Sequence, residues 1–157
     1  MRRLLTSLVL LSFITVEGVA FQAPSPQAPK TPNLSGRWGV KFKLSGIGER
    51  NLIFESQARG SGSFMLLDTG PDNKPETAPR PAVWSQTTNN RVSLSGEVEL
   101  PIATCCRETG TLIFKGKFIS NDSIAGKAIF VGSTTDEENF NGFRSTIGTF
   151  TATRLVN

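Results

Sequence analysis

The chain has 157 residues, 17 Lys+Arg against 13 Asp+Glu for a formal net charge of +4, two Cys, and neither His nor Tyr. Imidazole is the side chain that titrates near neutrality, so its absence excludes Ser-His and Cys-His nucleophile pairs, His-ligated zinc and His general bases. With 38% apolar and 19% charged residues, the composition is that of one folded globular domain and not of a disordered, collagenous or coiled-coil chain.

Residues 1–20 differ from the rest: Arg2 and Arg3 precede an apolar run from Leu4 to Val16, and Gly18-Val19-Ala20 supplies small residues for a cleavage site. This is the pattern of a signal peptide, predicting cleavage near Ala20 and export to the periplasm or the extracellular space. An uncleaved signal anchor is the competing reading, because Glu17 stands between the apolar run and the cut. The run is shorter than the ~20 apolar residues of a spanning helix, so no integral membrane insertion is expected. Residues 21–33, FQAPSPQAPKTPN, carry four prolines and read as an extended Pro-rich linker. The remaining 34–157 form the expected domain.

From Leu34 onward apolar and polar residues alternate with period two, punctuated by Gly, Asn, Asp and Pro, which predicts an all-β domain. Eight strands are predicted, at about 36–44, 49–57, 61–68, 81–87, 90–100, 109–119, 122–131 and 145–155. On the first, Trp38, Val40, Phe42 and Leu44 share one face and Arg37, Lys41 and Lys43 the other. The fifth puts Val92, Leu94, Val98 and Leu100 inward and Glu97 and Glu99 outward, and the sixth puts Leu112, Phe114 and Phe118 inward and Lys115 and Lys117 outward. Glu97 and Glu99 are therefore expected opposite the two lysines as a cross-strand ladder. Short connections and the hairpin FKGKFISNDSIAGKAIF, with Gly126 facing Gly116, favour a meander. Eight antiparallel strands in a meander bury their edges by closing, which predicts an eight-stranded antiparallel up-and-down barrel.

Two patches, Gly36-Arg37-Trp38 on the first strand and Thr149-Phe150-Thr151-Ala152-Thr153-Arg154 on the last, resemble the two ends of a calycin barrel, the superfamily of lipocalins, fatty-acid-binding proteins and avidins. The resemblance implies that the Trp38 indole packs beneath the Arg154 guanidinium to close one barrel end. It extends to small signal-bearing barrel proteins of environmental bacteria. The Thr-Asp-Tyr-like second motif of lipocalins is missing, and the aromatic set that avidins place around biotin is reduced to Trp38 and Trp84.

Two long loops and a cysteine pair remain. Residues 68–81, DTGPDNKPETAPRP, hold four prolines and could cover one barrel mouth. Residues 132–144 carry Asp136-Glu137-Glu138 before Phe140 and Phe143, without the ligand spacing of a calcium loop. No metal or other cofactor is expected. Cys105-Cys106 lie in the PIATCCRETG connection. A vicinal disulfide, a disulfide to a second chain, and reduced thiols or a metal contact are all open, with Arg107 favouring a thiolate. Asn33-Leu34-Ser35 and Asn121-Asp122-Ser123 are glycosylation sequons.

No nucleophile elbow, phosphate-cradling loop or dinucleotide fingerprint is present, so no enzymatic activity is expected, a thiol enzyme using Cys105 or Cys106 being the exception to test. Lys41/Lys43 and Lys115/Lys117 read as solvated pairs, and nucleic acid is not an expected partner. The leading functional expectation is an exported barrel binding a small apolar or amphiphilic molecule, with Phe42, Phe54, Phe64, Trp84, Phe114 and Phe130 lining the calyx. The alternatives are a packed barrel serving as a structural or protein-interaction module of the cell envelope and, third, an outer-membrane barrel, which outward lysines argue against.

Overall fold

A computed structural model describes residues 32–68, 74–102, 106–133 and 145–156. The signal segment, most of the linker, Cys105, the acidic triplet, Phe140 and Phe143 lie outside the described residues. Eight strands follow one another: β1 (Gly36–Leu44), β2 (Gly48–Ser56), β3 (Ser61–Leu66), β4 (Arg80–Gln86), β5 (Arg91–Ile102), β6 (Cys106–Ser120), β7 (Ser123–Gly132) and β8 (Ser145–Arg154). Each pairs antiparallel with its neighbour in sequence and β8 returns to β1, closing an up-and-down barrel. Closure removes the unpaired edges that an open sheet of this size would expose. The predicted all-β class, strand count and order are thus present in the structure.

Two expectations are corrected. The β5–β6 ladder continues to Ile102↔Cys106, so β6 starts before the predicted residue 109, the connection shrinks to residues 103–105, and Cys106 belongs to a strand. The same ladder pairs Glu97 with Thr111 and Glu99 with Thr109, while Lys115 faces Ser93 and Lys117 faces Arg91. The nearer carboxylate, Glu97, is four ladder pairs from Lys115, because a period of two assigns faces but leaves even-numbered shifts of register undetermined. Glu99 is held instead by arginines: Arg107 Nε lies 2.9 Å and Arg80 Nη2 3.6 Å from its carboxylate.

The alternation places Val40, Phe42 and Leu44 of β1, Leu52 and Phe54 of β2, Phe64 and Leu66 of β3, and their counterparts on β5–β8 inside one continuous core. Lys, Glu, Ser and Thr occupy most outward positions, the reverse of a barrel whose outside meets lipid chains. Among the described residues, no helix is long and apolar enough to cross a membrane. Among the described residues the one helical piece is a 3-10 turn, Ala58–Gly60, joining β2 to β3, with Arg59 at φ 60°.

Gly116 of β6 and Gly126 of β7 are cross-strand partners. A Cβ on Gly116 would stand 2.6 Å from the Ala125 carbonyl oxygen and 2.8 Å from Phe150 Cζ, so glycine is needed for the close approach of the two strands. Gly116→Ala is expected to destabilise by about 2–4 kcal/mol through forced repacking. Gly39→Ala, whose added carbon meets the movable Leu155 side chain at 3.3 Å and the Thr153 carbonyl oxygen at an ordinary 3.9 Å, is expected to stay within about 1 kcal/mol of wild type in urea unfolding. Equal effects at both sites would contradict this reading of the packing.

Candidate functional site: the barrel lumen, its ends and its outer wall

The lower end, where β1 begins and β8 finishes, is sealed by chain and by side chains. Leu34 is fully buried there, tied by its N–H to Gln86 Oε1 at 3.0 Å, while Gln86 Nε2 donates to the Pro32 carbonyl at 2.7 Å. Trp38 Nε1 donates to the Leu34 carbonyl at 3.0 Å. Trp38 and Arg154 are cross-strand partners, and the Arg154 guanidinium carbon sits 4.3 Å from the indole centroid. The same guanidinium donates from Nε to Asp122 Oδ1 at 2.8 Å, from Nη1 to the Ser35 carbonyl, and from Nη2 to the carbonyls of Asn33 at 2.7 Å and Asn121 at 3.1 Å. One planar fork thus ties the entering chain, the β6–β7 turn and the barrel floor together, which an ammonium could not do.

Of the six residues expected to line a calyx, five point into the lumen and are essentially inaccessible: Phe42, Phe54, Phe64, Phe114 and Phe130 are 0–2% exposed. Four of them, Phe42, Phe54, Phe64 and Phe114, are brought together with Phe150 as a packed set of rings, while Phe130 lies in the same buried core. Phe114 of β6 meets Phe42 of β1 at 5.5 Å, Phe64 of β3 at 5.8 Å and Phe150 of β8 at 4.9 Å between centroids. Phe54 meets Phe64 at 5.8 Å, and at the floor Trp38 meets Phe118 at 5.9 Å, edge to face. These are favourable aromatic separations, and they span the lumen from wall to wall. Trp84 stands apart: half-buried against the core near the β2–β3 turn, it donates from Nε1 to the Ser61 carbonyl at 2.7 Å and to Gln57 at 3.2 Å.

The upper end carries polar groups that the reading of apolar positions passed over. Glu108 of β6 is 8% exposed, and its carboxylate occupies the space a side chain at Gly132 would need. Arg50 lies two residues before inward-facing Leu52, so it shares the lumen parity of β2. Its Nη1 donates to the Glu49 carbonyl at 3.0 Å, while its buried Nε has no hydrogen-bond partner. Asp68 accepts the Asn51 N–H and side-chain amide on Oδ2, both at 2.9 Å. The parity of Arg50 was visible in sequence. Glu108 fell in what read as loop.

On the outer wall, the described half of the 68–81 loop is anchored by the Glu76 N–H to the Leu66 carbonyl at 2.9 Å and by Arg80, 3.0 Å from Glu76. With Glu99 and Arg107 it borders an open groove of about 510 Å³. Among the described residues, no group of three or more His, Cys, Asp or Glu could hold a metal ion. Cys106 is placed by its backbone opposite Ile102, and Cys105 lies outside the described residues, so the redox alternatives for the pair stand as they did.

Comparison with known proteins returns no matching family model and no similar curated protein.

Proposed function

We propose that the protein is an exported, non-enzymatic barrel of calycin-like kind whose lumen is filled by its own side chains, and which works through its outer wall and rim as a structural or interaction module of the cell envelope. The observation that carries this reading is the meeting of rings across the lumen. Phe114 touches aromatic rings from three other strands at 4.9–5.8 Å, in the space where an apolar ligand would have to lie. A drug-sized ligand needs roughly 300 Å³ or more, and admitting one would require several of these rings to leave their packed positions. The guanidinium-capped floor supports the same reading, since it closes one end with hydrogen bonds in place of a passage. The basic n-region and apolar run at the N-terminus support export, and the missing imidazole and nucleophile motifs support a non-catalytic role.

Titration of the chain purified from its host with a fluorescent apolar probe, such as a conjugated polyene fatty acid, tests the proposal. No saturable uptake is expected. Saturable one-to-one uptake would overturn the filled-lumen reading and restore the calyx.

A further inference from the structure

The register collects onto one stretch of outer wall a group of cations that are scattered in sequence. Arg91 of β5 stands directly opposite Lys117 of β6, and Lys115 of β6 directly opposite Lys127 of β7. All four are exposed, and together they border a shallow groove of about 490 Å³ whose floor is the close-approach pair Gly116 and Gly126. Among the described residues none of the four forms a salt bridge, whereas Lys41, Arg37, Arg80, Arg107 and Arg154 all do. Like charges directly opposite one another destabilise a sheet. Here two such pairs occur side by side, while the acidic residues of β5, Glu97 and Glu99, face threonines further up the ladder. Lys43 extends the cationic row, since Lys127 pairs with Thr149 and Thr149 with Lys43.

The border of this patch is aliphatic. Ile113, Ile129 and Ile147 form one continuous cross-strand row over β6, β7 and β8, directly beside the row of Lys115 and Lys127. Ile147 is 57% exposed, and Ile119, one outward position beyond Lys117, is 61% exposed. Cations flanked by exposed aliphatic side chains satisfy the two requirements of an interfacial binder: attraction to anionic headgroups and shallow insertion of apolar groups. Single-stranded nucleic acid would call for aromatic stacking platforms among the cations, and the described residues of this face carry none.

We propose that the outer wall of β5–β8 docks on an anionic lipid surface, with Arg91, Lys115, Lys117 and Lys127 at the headgroups and Ile147 and Ile119 at the acyl boundary. The proposal rests on the reading above that the barrel acts through its exterior, and adds the partner. Binding to the surface neutralises the opposed cations, so the same residues that strain the free sheet become favourable contacts in the docked one.

The test is co-sedimentation of the full chain with vesicles of phosphatidylcholine alone or mixed equally with phosphatidylglycerol. Each cation near such a surface contributes about 5-fold in partitioning. Wild type is expected to bind the anionic vesicles and not the neutral ones, and to be released in about 1 M salt, where charges are screened within about 3 Å. Lys127→Glu removes two units of charge and is expected to lower binding about 25-fold. It also places a carboxylate opposite Lys115, so its melting temperature is expected to hold or rise, which separates lost docking from lost folding. Ile147→Ser is expected to weaken binding with the salt dependence unchanged. Equal binding to both vesicles, no binding to either, an unaffected Lys127→Glu variant, or retention by heparin or single-stranded DNA in place of vesicles would each overturn the proposal. Failure on vesicles by a chain that also takes up no apolar probe defeats this proposal alone, whereas probe uptake defeats the reading beneath it.

Discussion

Phe114→Ala is expected to cost about 3–5 kcal/mol of stability and, on the proposed filled-lumen reading, to open a ligand cavity in the barrel. The ring is fully buried and contacts Phe42, Phe64 and Phe150, so truncation removes its transfer free energy and leaves a void in which those rings lose their partner. For a domain of this size the loss corresponds to a fall in melting temperature of about 10–20 °C. An apolar void of this kind stays dry and accepts small aromatic molecules. Benzene should therefore raise the melting temperature of Phe114→Ala and leave that of wild type unchanged. A loss below about 1 kcal/mol, or benzene binding already present in wild type, would mean that the rings do not fill the lumen.

The second large effect is expected at the barrel floor. Arg154→Ala removes a guanidinium that serves Asp122, Ser35, Asn33 and Asn121 and covers the Trp38 indole. Hydrogen bonds to charged groups contribute about 1.5–3 kcal/mol each and are not additive within one network. Partial exposure of the side chain reduces the total, and a loss of about 2–4 kcal/mol is expected in urea unfolding. Arg154→Lys should recover only part of it, because a point charge cannot serve four acceptors fanned around a plane. Hydrogen exchange at the Trp38 indole N–H, which donates to the Leu34 carbonyl, should accelerate in Arg154→Ala as the entering chain loosens. Unchanged exchange and full stability would show that the floor holds without the arginine.

Much of the fold is legible in sequence for a physical reason. A side-chain period of two marks a half-buried strand residue by residue, and Gly, Asn and Asp mark where it must turn. The first strand, 36–44, is read to the residue, and the juxtaposition of Trp38 and Arg154 is anticipated from two short patches. Period two is blind to shifts of register by even numbers, and for that reason the lysines of β6 lie opposite Ser93 and Arg91 and not opposite Glu97 and Glu99. Identifying Phe42, Phe64 and Phe114 as inward-facing was similarly possible, but whether their rings meet depends on barrel diameter and strand tilt, which no local pattern encodes. The same limit hid the cationic patch. Arg91, Lys115 and Lys127 come from three strands, and only the pairing register makes them neighbours. Glu108 is not legible as a lumen residue because β6 extends to Cys106, through residues that the sequence assigns to the Cys105-Cys106 connection.

The filled lumen is tested most directly by native mass spectrometry of the protein purified from its own host without organic solvent. A single species at the bare chain mass is the predicted result. A stoichiometric small-molecule adduct that is lost on denaturation would contradict it, because on the proposed reading Phe114 and the rings it meets take up the lumen.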